Sequence, residues 1–497
     1  MIVPKIAANY IERGDEEAII LEIAKKAGIY PMDYKFNACP VNQIVEEGDE
    51  VRVGKYVLKV IETPGHCIGH VCYVLEANNK VNLFAGDVIF YESGNRKEDE
   101  FLDYLTEPRQ SELQDLLNII LKRGHAKRNE AYQLIKANGT DLLELLKVSS
   151  LLRDQSKGKT VTYSRKVFIP LTNMCRNTCS YCTFVKGPDN PDAHIMNPDE
   201  VRAKLKQAEA SGCKEVLISL GERPELRYEF TKKWLNKLGY KRMVDYVYDI
   251  CEMVIKETSM IPHTNAGALK VEEIKKLKMV NGSMGMMLES NNPNLSVHRD
   301  CPDKHPMVRL NTIRYAGELK VPFTTGILIG IGESLEDRVD SLFDILELHK
   351  KYNHIQEIII QNFRAKKDTK MANSEEPTIW DMVRTIAVCR LIFGRQMNIQ
   401  APPNLTPEMH QLFLLAGIND WGGISPVTPD YINPEKPWPN ITALNSVCSE
   451  LGFTLRERLT VYPEYVYDAD FNQEVFTKRI YDFIDERKLV KEEWATC

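Results

Sequence analysis

From about residue 165 onward the chain alternates short apolar runs with amphipathic stretches. The runs fall at 166–171, 216–220, 259–264, 283–289, 322–330, 355–361 and 396–401, and each predicts a strand. Between them the apolar spacing turns helical. Asn197 and Pro198 predict a helix start, with Asn as N-cap and Pro in the first turn. Val201, Leu205 and Ala208 mark its buried face, and Gly212 ends it. Ser334 to Lys350 predicts a second helix, with Val339, Leu342, Phe343 and Leu346 on one face. Strands separated by helices predict right-handed βαβ units and a parallel sheet. Roughly six to eight such repeats fit an α/β fold of the (β/α) TIM-type barrel, whose site is built by loops at the C-terminal strand ends.

The pattern upstream differs. Leu113, Leu116, Leu117 and Ile120 follow i, i+3, i+4, i+7 spacing, and Asp141 to Leu152 repeats the trend. Residues 96–160 therefore read as a helical lead-in that packs on the following domain, with a boundary loop at Ser156 to Thr160. Residues 1–95 read as a separate unit of strands around a Gly54 turn. The expected divisions are 1–95, 96–160, a barrel core at 161–400, and a part at 401–497 that completes the barrel and the substrate site.

Composition adds exclusions. Hydrophobic residues make up 43% and charged residues 27%, ordinary for a soluble globular protein. A net charge of −6 gives no electrostatic case for nucleic acid or an anionic membrane as main partner. The longest weakly polar runs, such as 321–332, fall short of the roughly 20 residues a membrane span needs. Acidic residues come too early for a signal peptide, and twelve scattered cysteines then point to a reducing cytoplasm.

One stretch organises the chemistry. Cys175-Arg-Asn-Thr-Cys179-Ser-Tyr181-Cys182 follows the first strand. Three thiols on one short loop can wrap one compact centre. A tetrahedral zinc would want a fourth ligand close by, and the nearest candidate is His194. A [4Fe–4S] cluster can be held by three thiolates and keep one iron open. The other reading is three buried structural thiols. The spacing, with Tyr181 before the last Cys, resembles the radical S-adenosylmethionine (SAM) enzymes. That resemblance implies a [4Fe–4S] cluster on Cys175, Cys179 and Cys182, with SAM on its open iron.

Further polar groups follow later strands. Gly221-Glu222 resembles the segment that receives the SAM ammonium, a task suited to a carboxylate. Glu289, in Met287-Leu-Glu-Ser290, is placed to accept ribose hydroxyls, and Arg309 resembles the Arg that binds the SAM carboxylate. Gly330, in the glycine-spaced end 325–333, would let a flat adenine approach the backbone. Each residue read alone is an ordinary solvated side chain or turn.

From about 165 to 470 the text resembles a narrower family, the deazaflavin (FO) synthase subunit of the CofG type. The matching stretches include Val167 to Phe184, Leu220 to Glu225, Pro262 to Gly267, Gly285 to Ser290, Thr324 to Glu333, Ile358 to Phe363, Gln400 to Leu405 and Gly417 to Pro426. The resemblance implies a carbon–nitrogen lyase of coenzyme F420 biosynthesis. Its substrate would be the tyrosine–ribityluracil adduct made by a CofH-type partner enzyme. A deoxyadenosyl radical abstracts hydrogen, the ring closes, ammonia leaves, and oxidation gives the deazaflavin. A reducing electron donor is implied as well. One cysteine triad implies one half of the synthase, not a fused two-module form. His263, Asn265, Gln361, Asn362, Asn404, Asp420 and Trp421 are candidates to line a pocket for this flat, polar substrate, or else to cap loops and satisfy backbone. A CofH- or aminofutalosine-type radical SAM enzyme, and a non-catalytic iron–sulfur module, are the competing readings.

Residues 1–95 resemble a truncated metallo-β-lactamase-fold segment. His66, in a Thr-Pro-Gly-His turn, and Asp87, after a strand, match two of that family's metal ligands. The upstream HxHxDH motif is missing, and two ligands do not make a catalytic zinc site. An inactive segment is the expectation, and a hydrolase using it is the rival.

Overall fold

The computed structural model describes residues 2–16, 25, 35–62, 71–77, 80–84 and 112–492. The chain divides into two compact units, Met1–Arg109 and Gln110–Cys497. In the first, β1 (Ile2–Pro4) pairs in parallel with β2 (Gln43–Val45). Four further strands, β3 (Glu50–Val53), β4 (Tyr56–Glu62), β5 (Val71–Ala77) and β6 (Lys80–Phe84), form an antiparallel sheet in sequence order. Its core is small: Val45, Val51 and Val60. His66 and Asp87 lie outside the described residues.

The second unit is the expected barrel. Its strands are β7 (Thr160–Thr172), β8 (Glu215–Leu220), β9 (Ile261–Asn265), β10 (Ser283–Gly285), β11 (Phe323–Ile329), β12 (Ile355–Asn362), β13 (Ile399–Gln400) and β14 (Asp420–Ile424). They pair in sequence order, all parallel, and β14 returns to β7 to close the ring. Apolar β-branched runs such as Val216-Leu-Ile218 and Ile358-Ile-Ile360 suit strands buried on both faces. The Asn197 cap is the one the sequence predicts, and Ser334 proves to cap its helix, not to begin it. The Asn197 side chain accepts from the Asp199 and Glu200 amides, and Ser334 forms a capping box with Asp337.

Three corrections concern elements. The run 283–289 does not stay a strand: β10 stops at Gly285, and Glu289 adopts a left-handed φ of 71°. Asp420 and Trp421 lie inside a strand, not after one, because Gly422 and Gly423 hid β14 from a hydrophobic-run reading. Arg309 is on a helix, Pro306–Glu318, not on a post-strand loop.

The helices Glu112–Arg123, Arg128–Leu134 and Gly139–Lys157 pack on the barrel's outer layer. The buried Ser149 hydroxyl donates to Ala416 O at 2.6 Å, and Arg384 Nε donates to Ala137 O at 2.6 Å. A ninth parallel strand, β15 (Thr454–Glu457), adds to the lower part of β7. Residues 458–462 then run beneath the barrel. The Arg458 amide donates to Tyr163 O on β7, Ser283 at the start of β10 donates to Thr460 O, and the Tyr462 amide donates to Gln356 Oε1 on β12. This strap closes the lumen at its N-terminal end. No helix among the described residues is long and apolar enough to cross a membrane.

Candidate active site

Two adjoining cavities sit inside the barrel. The upper one, about 220 Å³, is lined by the cysteine loop and by strand-end residues including Gly221, Glu222, Glu289, Lys304 and Arg309. The lower one, about 230 Å³, is the lumen itself. Ser219, Asn265, Met287 and Ile432 line both, so the two are continuous.

The loop carrying the thiols leaves β7 and folds against β8's end. A Cβ on Gly221 would stand 2.0 Å from Met174 O and 2.8 Å from Cys175 Cβ, so only glycine admits the loop there. Cys175, Cys179 and Cys182 all face the upper cavity. Backbone N–H groups already point at the sulfurs: Glu222 N donates to Cys175 Sγ at 3.2 Å, and the Phe184 and Val185 amides donate to Cys182. Such donors are what a thiolate-bound cluster uses. Among the described residues no three His, Cys, Asp or Glu side chains converge as a single metal ion requires. A cubane holds its ligand sulfurs apart, so three thiols around one cavity fit a cluster better than a zinc ion. Burial pushes the Cys175 thiol up to about 12. Its deprotonation would accompany metal binding.

The polar groups of the upper cavity form one linked ring. Glu222 is buried and accepts from Asn177 Nδ2, from the Ala268 amide at 2.6 Å and from Arg309 Nη1 at 3.1 Å. Gly267, with φ of +73°, makes this possible: a Cβ there would sit 1.9 Å from Glu222 Oε1. Arg309 also reaches Glu289 at 3.6 Å and donates through Nε to Met287 O at 2.6 Å. Glu289 accepts from Tyr181 OH and from Lys304 Nζ. Its left-handed backbone, a strained conformation for a non-glycine, is held by bonds to Gly326 and Leu328 and aims the carboxylate inward. Burial alone would raise the Glu289 carboxyl, but the Lys304 and Arg309 cations hold it down at about 2. Burial pushes His298, 2.9 Å from Tyr181 OH, down to about 4, so the imidazole is neutral near pH 7.

The structure thus brings together Cys175, Cys179, Cys182, Tyr181, Gly221, Glu222, Glu289 and Arg309. Gly330 lies outside both cavities, its amide held by Glu333 at 2.8 Å and its Cβ position blocked by Pro377. Of the pocket candidates, His263, Asn265, Gln361 and Asn404 line the lumen. Three do not. Trp421 is wholly buried behind the wall, its indole N–H on Cys448 Sγ at 3.4 Å and its ring against His410 and Phe413. Asp420 is consumed by Arg458, which grips it at 2.6 and 2.9 Å. Asn362 turns to Thr406 Oγ1 at 3.4 Å.

Sequence reading missed several residues. In the upper cavity these are Asn177 and Lys304, with the buried Cys301 hydrogen-bonded to Cys179. In the lumen they are Lys166, Glu215, Glu357 and Arg458. The available signal was a charged residue directly beside an apolar strand run, as Lys166 precedes Val167-Phe-Ile169 and Glu357 precedes Ile358-Ile-Ile360.

Comparisons with known proteins agree with this geometry. Residues 169–345 match the model of the Radical SAM superfamily. The chain is 50% identical over 323 residues to 7,8-didemethyl-8-hydroxy-5-deazariboflavin synthase of Methanobrevibacter smithii, covering 64% of this chain and 95% of that one. It is 48% identical to the enzyme of the same name from Methanopyrus kandleri, covering 63% and 96%. The fold is similar to the FeFe-hydrogenase maturase HydG of Carboxydothermus hydrogenoformans, with TM-score 0.59, 17% identity and coverage of 78% and 89%, a likeness of fold alone. At 48–50% identity over nearly the whole of two synthases, the chain belongs to the 7,8-didemethyl-8-hydroxy-5-deazariboflavin synthase family of radical SAM enzymes.

Proposed function

We propose that this chain converts a tyrosine–ribityluracil adduct to 7,8-didemethyl-8-hydroxy-5-deazariboflavin with release of ammonia. The observation that carries the reading is the continuity of a three-thiol chamber with a polar lumen deep enough for a second molecule. Cys175, Cys179 and Cys182 would hold a [4Fe–4S] cluster, whose bound form supplies one electron to cleave SAM and give a 5′-deoxyadenosyl radical. Glu222 offers an acceptor for the SAM ammonium beside Arg309, which offers a fork for its carboxylate. Glu289, kept ionised by Lys304, is the acceptor for ribose hydroxyls.

The lumen residues bind and orient the adduct below. Asn265, shared by both cavities, stands where SAM and substrate would meet. His263 is held through Nδ1 by Ser283 Oγ at 2.7 Å and Thr460 Oγ1 at 3.2 Å. Burial lowers its ring to about 4, so it meets the substrate as a neutral imidazole. Walls of apolar strands and the strap beneath exclude water from a radical that water-borne side reactions would quench. A CofH-type enzyme would supply the adduct, and a reducing donor the electron.

The test is anaerobic reconstitution with dithionite, SAM and the adduct, read by mass and by deazaflavin fluorescence. Deazaflavin that disappears in Cys179→Ala is the expected result. Deoxyadenosine without deazaflavin would keep the radical SAM chemistry and overturn the substrate. A well-formed cluster with neither product would overturn both.

A further inference from the structure

The floor of the lumen holds more charge than a barrel needs for stability. Lys166 on β7, Glu215 on β8, Glu357 on β12 and Arg458 on the strap all line it. A buried ion pair often stabilises no more than apolar residues of the same volume. Here the pairs are also given space. A Cβ on Gly423 would stand 2.1 Å from Lys166 Cε, and one on Gly285 would stand 2.9 Å from His263 Nε2. Glycine at both places lets these side chains lie over the neighbouring strands.

The charges are paired among themselves. Lys166 Nζ donates to Glu215 Oε1 at 2.6 Å. Arg458 divides between Asp420, at 2.6 and 2.9 Å, and Glu357, at 3.3 Å. Glu357 also accepts from Tyr462 OH at 2.6 Å and Thr324 Oγ1 at 3.1 Å. Two cations therefore face carboxylates already matched to them. A phosphate or free carboxylate would meet Glu215 and Glu357. An organic cation would meet Lys166 and Arg458. A neutral polyhydroxyl chain suits both signs at once, because each hydroxyl can donate to a carboxylate and accept from an ammonium or guanidinium.

Depth fits as well. Glu357 and Gln361 lie four residues apart on one strand, roughly 13 Å at about 3.3 Å per residue. The reacting end of a ligand at the level of Asn265 would leave an extended tail at the floor. We propose that the charged floor built around Lys166–Glu215 and Glu357–Arg458 is the subsite for the substrate's ribityl chain, and selects a polyhydroxylated tail. This rests on the adduct being the substrate.

The test uses the fluorescence of the deazaflavin product, titrated into the full-length protein with its cluster and without it. A counterpart carrying N-pentyl in place of ribityl is the second probe. Wild-type protein is expected to bind the ribityl form about 100-fold more tightly, because each lost hydroxyl forfeits hydrogen bonds to charged groups, the stronger kind. Lys166→Met combined with Glu215→Gln, which leaves no lone charge, is expected to reduce that preference below about fivefold. Glu357→Gln is the second variant, independent of that pair, and should lower the ratio too. A merely structural role would change melting temperature and leave the ratio alone. Deoxyadenosine formation from SAM alone should persist in both variants, since the cysteine chamber is untouched. Equal wild-type binding of both chains, with deazaflavin still produced, would overturn the floor subsite and leave the proposed function standing. Absence of deazaflavin synthesis and of binding to either probe would overturn the two together.

Discussion

The upper chamber and the lumen are nearly equal in volume, and both are lined by buried charge, yet the chamber and the lumen floor are built in opposite ways. The chamber is a product of loops. Five of its residues, Cys175, Asn177, Cys179, Tyr181 and Cys182, share one loop, Gly221-Glu222 directly follow β8, and Glu289 lies past the end of β10. The floor is a product of strands. Lys166, Glu215, His263 and Glu357 each come from the interior or start of a different strand, and Arg458 comes from the strap after β15. A centre that must be wrapped by thiols constrains spacing along the chain. A subsite that reads a ligand's tail constrains only which residues meet across the sheet.

The largest expected effect breaks the chamber alone. Cys175→Ala or Cys182→Ala should abolish deoxyadenosine formation and iron binding while the circular dichroism and melting temperature stay near wild type. Retained SAM cleavage would remove the cluster from these thiols. Next comes the floor. Arg458→Met leaves Asp420 buried with its bidentate partner gone, and should cost about 3–5 kcal/mol in denaturant unfolding. A loss below about 1 kcal/mol would mean that the pair is idle.

The floor also predicts two pH effects of opposite sign. Burial disfavours the Glu215 charge, but the Lys166 ammonium overcomes it and holds the carboxyl near 2. That stability is present above about pH 4.5 and is lost as pH falls toward 2. Glu357 is the reverse: burial, with Asp420 nearby, raises it to about 6 against the partial pull of Arg458, Tyr462 and Lys166. The folded state then binds the extra proton, so its contribution falls as pH rises from about 4.5 through about 6, by roughly 2 kcal/mol. Glu357→Gln should flatten that limb of the stability–pH curve, measured by urea melts from pH 4.5 to 7.5. An unchanged limb would place the titration elsewhere.

Gly267→Ala sharpens the boundary between the regions. The added Cβ displaces Glu222, so SAM binding by calorimetry should weaken by about tenfold, with product binding at the floor unchanged. The smallest effect is Trp421→Phe. Its ring packs behind the wall, so about 1 kcal/mol of stability should go and kcat/KM should hold. A fall in kcat/KM without loss of stability would return Trp421 to the substrate pocket.

Trp421 and Asp420 also show where a linear reading stops. Both lie in a glycine-rich segment, Gly417 to Gly423, which resembles a functional loop and is in fact β14 with its preceding turn. Periodicity does not reveal which face of a two-residue-repeat strand points inward when glycines interrupt it. Glu222 was legible from a strand end and a glycine neighbour, Gly221, whereas Glu289 was legible through the resemblance of Met287 to Ser290 to a family motif.

The sequence by itself determined the barrel, the cysteine loop and the family. Alternating apolar runs permit few other packings, and three thiols at fixed spacing permit few other centres. Only the tertiary structure decided that Gly330 stays outside the site, that Asp420 is spent on Arg458, and that Lys166, Glu215, Glu357 and Arg458 share a floor. The physical reason is the closure of the sheet. A charge in the middle of a strand is costly unless a partner waits across the lumen, and that partner can lie 101 residues away, as Arg458 does from Glu357.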